Sequence, residues 1–357
     1  MPTTLQLYHK MKHQLYQWLP GERKTRLQNM ALFLTGLYLS GQPHLSKIVR
    51  KWPLLGKLPS LTNRLWRFLN NPRVAVATWY APVVAEIISR VPKGPITLVV
   101  DTTKVGFHHR VMSIGMAFKK RTLPLVWSVR RGRKGHTTVD EQLGLFKKVA
   151  KMLPQKTEIW VVGDTEFQSV RLLRWFRRRN WHFVIREQGK NKVCWAGQPW
   201  CKLNALALEP GQTRVIGWVR LTEEHNHGWY WLLLHWEAGE DEPWYLVSDQ
   251  VGKTTLLKIY GKRMWVEEMY GDMKGHGFDL EATHLQDATR ISRLFLGIAI
   301  LFVWLITLGS WVVKRGYRHC VDHKSRRDKS YFRLGWDWLE RCLGLNRPIP
   351  LRFKPYC

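Results

Sequence analysis

Acidic residues are scarce in this chain. Among its 357 residues, 27 Asp and Glu face 57 Lys and Arg, a formal charge of +30. An imbalance that large points to a polyanionic partner, and nucleic acid is the commonest, with an anionic membrane surface as the plainer rival. Cysteine is also sparse. Cys194, Cys201, Cys320, Cys342 and Cys357 include no CxxC pair, and no secretory leader opens the sequence. A disulfide framework is therefore excluded, and reduced thiols in the cytosol are expected. HCVDH at His319 to His323 has metal-like spacing but no second cluster at structural-zinc distance, so it reads as surface chemistry. Nucleotide binding is excluded as well. VGKTT resembles the end of a phosphate-binding loop, but Val247 stands where the first glycine of that loop is required. No internal repeat or low-complexity segment occurs.

What is abundant is apolar. The chain is 45% hydrophobic with 20 Trp, so it folds, and it is long enough for two or three domains. Up to about residue 92, apolar residues recur at helical spacing with basic residues between them. Short basic helices joined by tight turns suit a DNA-docking bundle over 1–92. From Gly94 the pattern becomes extended. ITLVVDTTKV, VMSIGMAF and LPLVWSVRRG predict three successive strands, followed by helix TTVDEQLGLFKKVAKML, strand EIWVVGDTEF, basic helix SVRLLRWFRRRN and strand WHFVIRE. That order predicts an α/β fold with a ribonuclease H-like mixed sheet and flanking helices, its first part spanning 93–187. A β-rich insertion over 188–250 interrupts it, with strands carrying Trp218, Trp229, Trp231, Trp236 and Trp244. Most of these tryptophans are expected in a core, with at least one free to reach DNA. The core resumes over 251–313, and 314–357 reads as a basic tail. The uncharged run Leu294 to Val313 is long enough to cross a membrane, but flanking basic residues and its Gly, Thr and Ser content favour a buried helix.

The chemistry concentrates in YGKRMWVEEMYGDMK, Tyr260 to Lys274. On a continuous helix, Tyr260, Arg263, Glu267 and Lys274 share one face, an acid between bases that suits a charged ligand better than a core. Asp101 and Asp164 each close an apolar strand, and in the expected order those strands are neighbours. A strand-end cap is the plainer reading of either aspartate alone. With Glu267 they make three hard oxygen donors and no His or Cys, a set suited to two Mg²⁺ ions, with Mn²⁺ as substitute. Such a set does phosphodiester hydrolysis or transfer. Arg263 and Lys274 would meet DNA phosphates, and Tyr260 would hydrogen-bond to the same backbone.

These residues resemble the YREK signature of DDE transposases of the bacterial insertion-sequence-four type. VVDTT at Asp101, VVGDTEF at Asp164 and FVIRE at Phe183 resemble that family's strands, and RFLNNPRV at Arg67 resembles part of its N-terminal DNA-binding region. The resemblance implies a cytoplasmic, nucleoid-associated enzyme that pairs as a homodimer on terminal inverted repeats of double-stranded DNA. It would cut there, in some members through a hairpin, and join 3′ ends to target DNA, with no membrane involved. Glu166 departs from the expected basic or glycine residue, and its part is open. A ribonuclease H-like nuclease without strand transfer, an inactive DNA-binding relative and a membrane-attached basic protein are the competing readings.

Overall fold

The computed structural model describes residues 3–89, 94–351, 353 and 354. The 92/93 boundary and Cys357 lie outside them. Five helices come first: α1 (Thr3–Trp18), α2 (Lys24–Ser40), α3 (Leu45–Val49), α4 (Leu58–Asn70) and α5 (Val76–Ile88). Helix α2 stops as glycine chemistry requires. Gly41 adopts the left-handed conformation at φ 60, and its N–H bonds to the carbonyls of Leu37 and Tyr38. Helix α5, with Pro82 inside it, has no clear signature in the sequence.

Next follow β1 (Ile96–Val105), β2 (His109–Phe118), β3 (Arg121–Arg131), α6 (Val139–Ala150), β4 (Ile159–Gly163), α7 (Val170–Arg178) and β5 (His182–Glu187). All seven elements appear in the expected order. The Thr138 side chain accepts from the N–H of Glu141 and starts α6, a capping arrangement written in TVDE. The insertion supplies β6 (Lys192–Cys194), β7 (Cys201–Lys202), β8 (Thr213–Leu221), β9 (His227–His235) and β10 (Trp244–Ser248). Its strands continue the first five. One mixed, mostly antiparallel sheet of ten strands runs β3-β2-β1-β4-β5-β10-β9-β8-β6-β7. Only the β1–β4 and β4–β5 neighbours are parallel.

The chain then forms α8 (Lys253–Tyr260), α9 (Met264–Met273), α10 (Ala288–Lys314) and α11 (Tyr331–Gly344). The long apolar run lies in α10, whose most apolar window is 89% buried inside the protein. Helix α10 packs against α2, α4 and α5 on one side and against β3 and α11 on others. The stretch read as a basic tail thus contains a helix, α11, whose Phe332, Leu339 and Leu343 enter the common core. Its apolar residues at helical spacing are diluted by four charged residues and two tryptophan indoles, which hid the periodicity.

At the β5–β10 seam, Glu187 is buried, accepting one hydrogen bond from Asn191 at 2.6 Å while its other oxygen has no donor. Burial pushes its carboxyl up to about 8. Folding therefore takes up a proton at neutral pH. The stability this gives is full below the unfolded pKa of about 4.3 and is lost as pH rises through 8. Glu187→Gln should flatten the fall in Tm between mildly acidic and alkaline pH, as thermal melts across that range will show.

Candidate active site

Backbone register brings the two aspartates together. On the parallel β1–β4 pair, Val99 aligns with Val162. Two residues further along each chain stand Asp101 and Asp164, at the same level on adjacent strand lines roughly 4.8 Å apart and on the same face. Asp101 does not end its strand, as the sequence suggested. Strand β1 continues to Val105, but its pairing with β4 stops at Val99, which leaves the carboxylate at the end of the parallel seam. Gly163 just before Asp164 is required by space, since a β-carbon there would lie 2.9 Å from a Val100 methyl and 3.0 Å from the Phe167 ring.

Asp164 divides its two oxygens. Oδ1 accepts from the N–H of Glu166 at 3.0 Å and caps the short 3₁₀ turn Thr165–Phe167, while Oδ2 faces Arg263 at 3.6 Å. The capping role and the site role coexist. Glu166 itself turns away from the site and accepts from the Thr137 N–H at 2.8 Å and the Thr137 hydroxyl at 2.5 Å. It ties the Asp164 turn to the loop that follows β3.

Glu267 arrives on α9, and buried contacts of that helix fix its position. The Tyr270 hydroxyl pairs with Ser113 Oγ at 2.7 Å and donates to the Asp101 carbonyl at 3.1 Å. Arg121 of β3 holds Asp272 at 2.5 Å and Glu268 at 2.9 Å. Tyr270, Arg121 and Asp272 escaped the sequence reading, although an aspartate within the apolar MYGDM run was the available signal. The continuous helix expected from Tyr260 to Lys274 is broken. A 3₁₀ turn, Gly261–Arg263, lies between α8 and α9, and Lys274 falls beyond the end of α9, so it does not share the face on which Arg263 meets Glu267.

Arg263 is the centre of the arrangement. Its Nη1 donates to Glu267 Oε1 at 2.5 Å, and its Nη2 lies 3.6 Å from Asp164 Oδ2 and 4.0 Å from Asp101 Oδ1. One guanidinium thus joins all three predicted carboxylates. Asp101 is 1% exposed, and its Oδ1 has no hydrogen-bond donor. Burial raises its carboxyl to about 6 and the charge of Asp164 adds to this, against the opposing pull of Arg263 and Lys134. Tyr260 is buried edge-on against Trp244, ring centroids 5.1 Å apart, and burial pushes its hydroxyl up to about 12. Lys274, at the C-terminal end of α9, pairs with Glu281 at 2.7 Å and stands apart from the trio. Among the described residues, no three His, Cys, Asp or Glu side chains close into a metal-binding cluster, because the guanidinium stands between them. Of the insertion tryptophans, Trp218 and Trp229 are exposed, at 42% and 47%, and Arg220 lies over the Trp229 ring at 5.1 Å.

A sequence profile described as the transposase DDE domain matches residues 92–304, a span that contains Asp101, Asp164 and Glu267. The chain belongs to that transposase family. The transposase is also similar to a solved structure, a cryo-EM structure of a piggyBac transposase synaptic complex with hairpin DNA. That likeness covers 96% of this chain and 79% of the other, at 11% identity and a TM-score of 0.44. Among curated proteins, no match to the transposase is found.

Proposed function

We propose that this transposase is of the insertion-sequence-four type, cutting the ends of its element and joining the freed 3′ ends to target DNA. Asp101, Asp164 and Glu267 are its catalytic residues. The observation that carries the proposal is the convergence of these three carboxylates on one guanidinium. The strand order of the first five strands, with β1 between β2 and β4, supports a ribonuclease H-like core. The donors suit divalent ions: all are hard oxygens, Asp101 Oδ1 lacks a donor, and a cation already stands among them. Asp101, Asp164 and Glu267 would hold Mg²⁺, or Mn²⁺ in its place. Two such ions supply, when bound, the positive charge that the scissile phosphate and the attacking and leaving oxygens require.

The remaining chemistry belongs to the chain. Arg263 and Lys274 turn from Glu267 and Glu281 to phosphates of the bound strand, and for Lys274 this exchanges one half-exposed carboxylate for another anion at little cost. Tyr260 lies behind them, and its share in DNA contact is to hold Arg263. Cleavage adds water across one phosphodiester and leaves a 3′ hydroxyl. Joining then exchanges that hydroxyl for the 3′ oxygen of a target phosphodiester, so the number of ester bonds is conserved and no energy source is needed. Exposed Trp229, on strand β9, is the insertion tryptophan best placed to receive a flipped base if the reaction passes through a hairpin.

The test uses double-stranded DNA carrying the inverted repeats that border the gene, with Mg²⁺ and a target plasmid. End cleavage and joined products are expected, with cleavage lost and end binding kept in Asp101→Ala and Asp164→Ala. Cleavage without joining would leave a hydrolytic nuclease. Arg263→Gln gives a second prediction. Without the shared guanidinium, the three carboxylates repel, so Tm without metal should fall. Added Mg²⁺ should raise Tm more than in the wild type, because no side-chain cation competes for the site.

A further inference from the structure

The hairpin joining β1 to β2 ends in Gly106, Phe107 and His108, and its tip is fixed in place. Gly106 adopts φ +55 and lies so close to the Thr283 carbonyl that a β-carbon would stand 3.2 Å from that oxygen. At the apex Phe107 is 67% exposed, an unusual position for a ring of that size. Beside it opens a cavity of about 450 Å³, walled by Lys104 on β1 and by Arg131, Arg133 and Lys134 at the end of β3 and in the loop beyond it. No carboxylate lines this cavity. By contrast, Arg110 pairs with Glu141, Arg121 with Asp272 and Lys274 with Glu281. Among the described residues, none of the four cleft cations forms an ion pair, and they repel one another across it.

The position is as informative as the charge. Lys104, whose side chain alternates to the other face of β1 from Asp101, stands three residues beyond it, about 10 Å along the strand. That is the length of roughly three stacked nucleotides. Lys134 serves both places, since its charge also acts on the Asp101 carboxyl. The cavity volume lies within the range of small-ligand pockets, about 300 to 1,000 Å³, and is too small for a duplex. An exposed ring with unpaired cations beside it matches the way proteins hold single strands, by stacking bases and neutralising phosphates.

We propose that this cleft takes an unpaired nucleotide of the strand passing through the active site, its base stacked on Phe107 and its phosphate held by Lys104, Arg131, Arg133 and Lys134. The proposal rests on the transposase reading for the strand's presence, but not on the reaction. The cleft makes local strand opening next to the cut part of binding, and it lies on the β1–β2 side of the catalytic carboxylates, at the opposite end of the sheet from the insertion.

The test measures binding of a fluorescein-labelled single strand of about 12 nucleotides with a central 2-aminopurine, and of the same strand annealed to its complement. Phe107→Ala should weaken single-strand binding about tenfold and leave duplex binding unchanged, since one lost stack has that effect. Phe107→Trp should restore the affinity and deepen 2-aminopurine quenching. Arg133→Ala and Lys134→Ala should each lower the salt slope of single-strand binding by about 0.7. All these side chains are exposed, so unchanged melting will show that the variants are folded. The proposal is overturned if Phe107→Ala binds the strand as tightly as wild type, or loses strand and duplex alike. Cleavage assays of Asp101→Ala test the reaction separately. Phe107-dependent strand binding in a protein that never cleaves would keep the cleft and sink the reaction, and cleavage with Phe107-independent binding would do the reverse.

Discussion

Glu267→Gln should reduce end cleavage to background, whereas Glu268→Gln should leave it nearly intact. The two glutamates are neighbours in sequence and chemically identical, so only their surroundings separate them. Glu267 shares the Arg263 guanidinium with Asp101 and Asp164. Glu268 points to Arg121, which keeps its shorter and more buried bond to Asp272 when Glu268 is neutralised. Its carboxylate is 57% exposed, and an exposed pair is worth at most about 1 kcal/mol. Both amides preserve volume and helix propensity, so neither should unfold α9. The measurement is Mg²⁺-dependent cleavage of end DNA beside binding of the same DNA by gel shift. Equal damage from the two substitutions would mean that the register of α9 against the sheet is not the one described.

Gly309→Ala should destabilise the transposase by about 3 kcal/mol, at the upper end of what overpacking costs, because the obstacle is main chain and cannot change rotamer. Helices α10 and α11 cross with their backbones in contact. A β-carbon on Gly309 would overlap the Tyr331 carbonyl and stand 3.0 Å from the Gly335 nitrogen. One on Gly335 would overlap the Leu305 carbonyl. The control is Gly344→Ala in the same α11, where a β-carbon meets nothing within 4 Å. There the better helix propensity of alanine should leave stability unchanged or slightly improved. Thermal melts of the two variants should diverge by many degrees, and equal melting would place the crossing elsewhere.

The start of strand β1 was legible because Ile96 follows Gly94 and Pro95 and opens an apolar run, whereas Asp101 was read as closing the strand because the polar Asp101-Thr102-Thr103-Lys104 stretch hides its continuation to Val105. The convergence of Asp101 with Asp164 followed from strand order alone. The position of Arg263 did not. Its relation to the carboxylates depends on a single 3₁₀ turn, and nothing in GKR distinguishes that turn from more α-helix. Tyr270 and Asp272 were hidden for a related reason. Their partners Ser113 and Arg121 are over a hundred residues away, and pairings of that range leave no local periodicity. The insertion's strands were visible as strands, but their pairing with β5 was not, since nothing in WYLVS says which edge it will join.

That pairing has a mechanical consequence. Because the insertion joins the sheet through backbone hydrogen bonds, the strand that carries Trp229, β9, and the strand that carries Asp101, β1, are marks on one ruler, four strand spacings or about 19 Å apart across the order β1-β4-β5-β10-β9. Roughly six base pairs of duplex span that length. A protein built this way has no joint at which to adjust the interval, so whatever bending the reaction demands falls on the DNA.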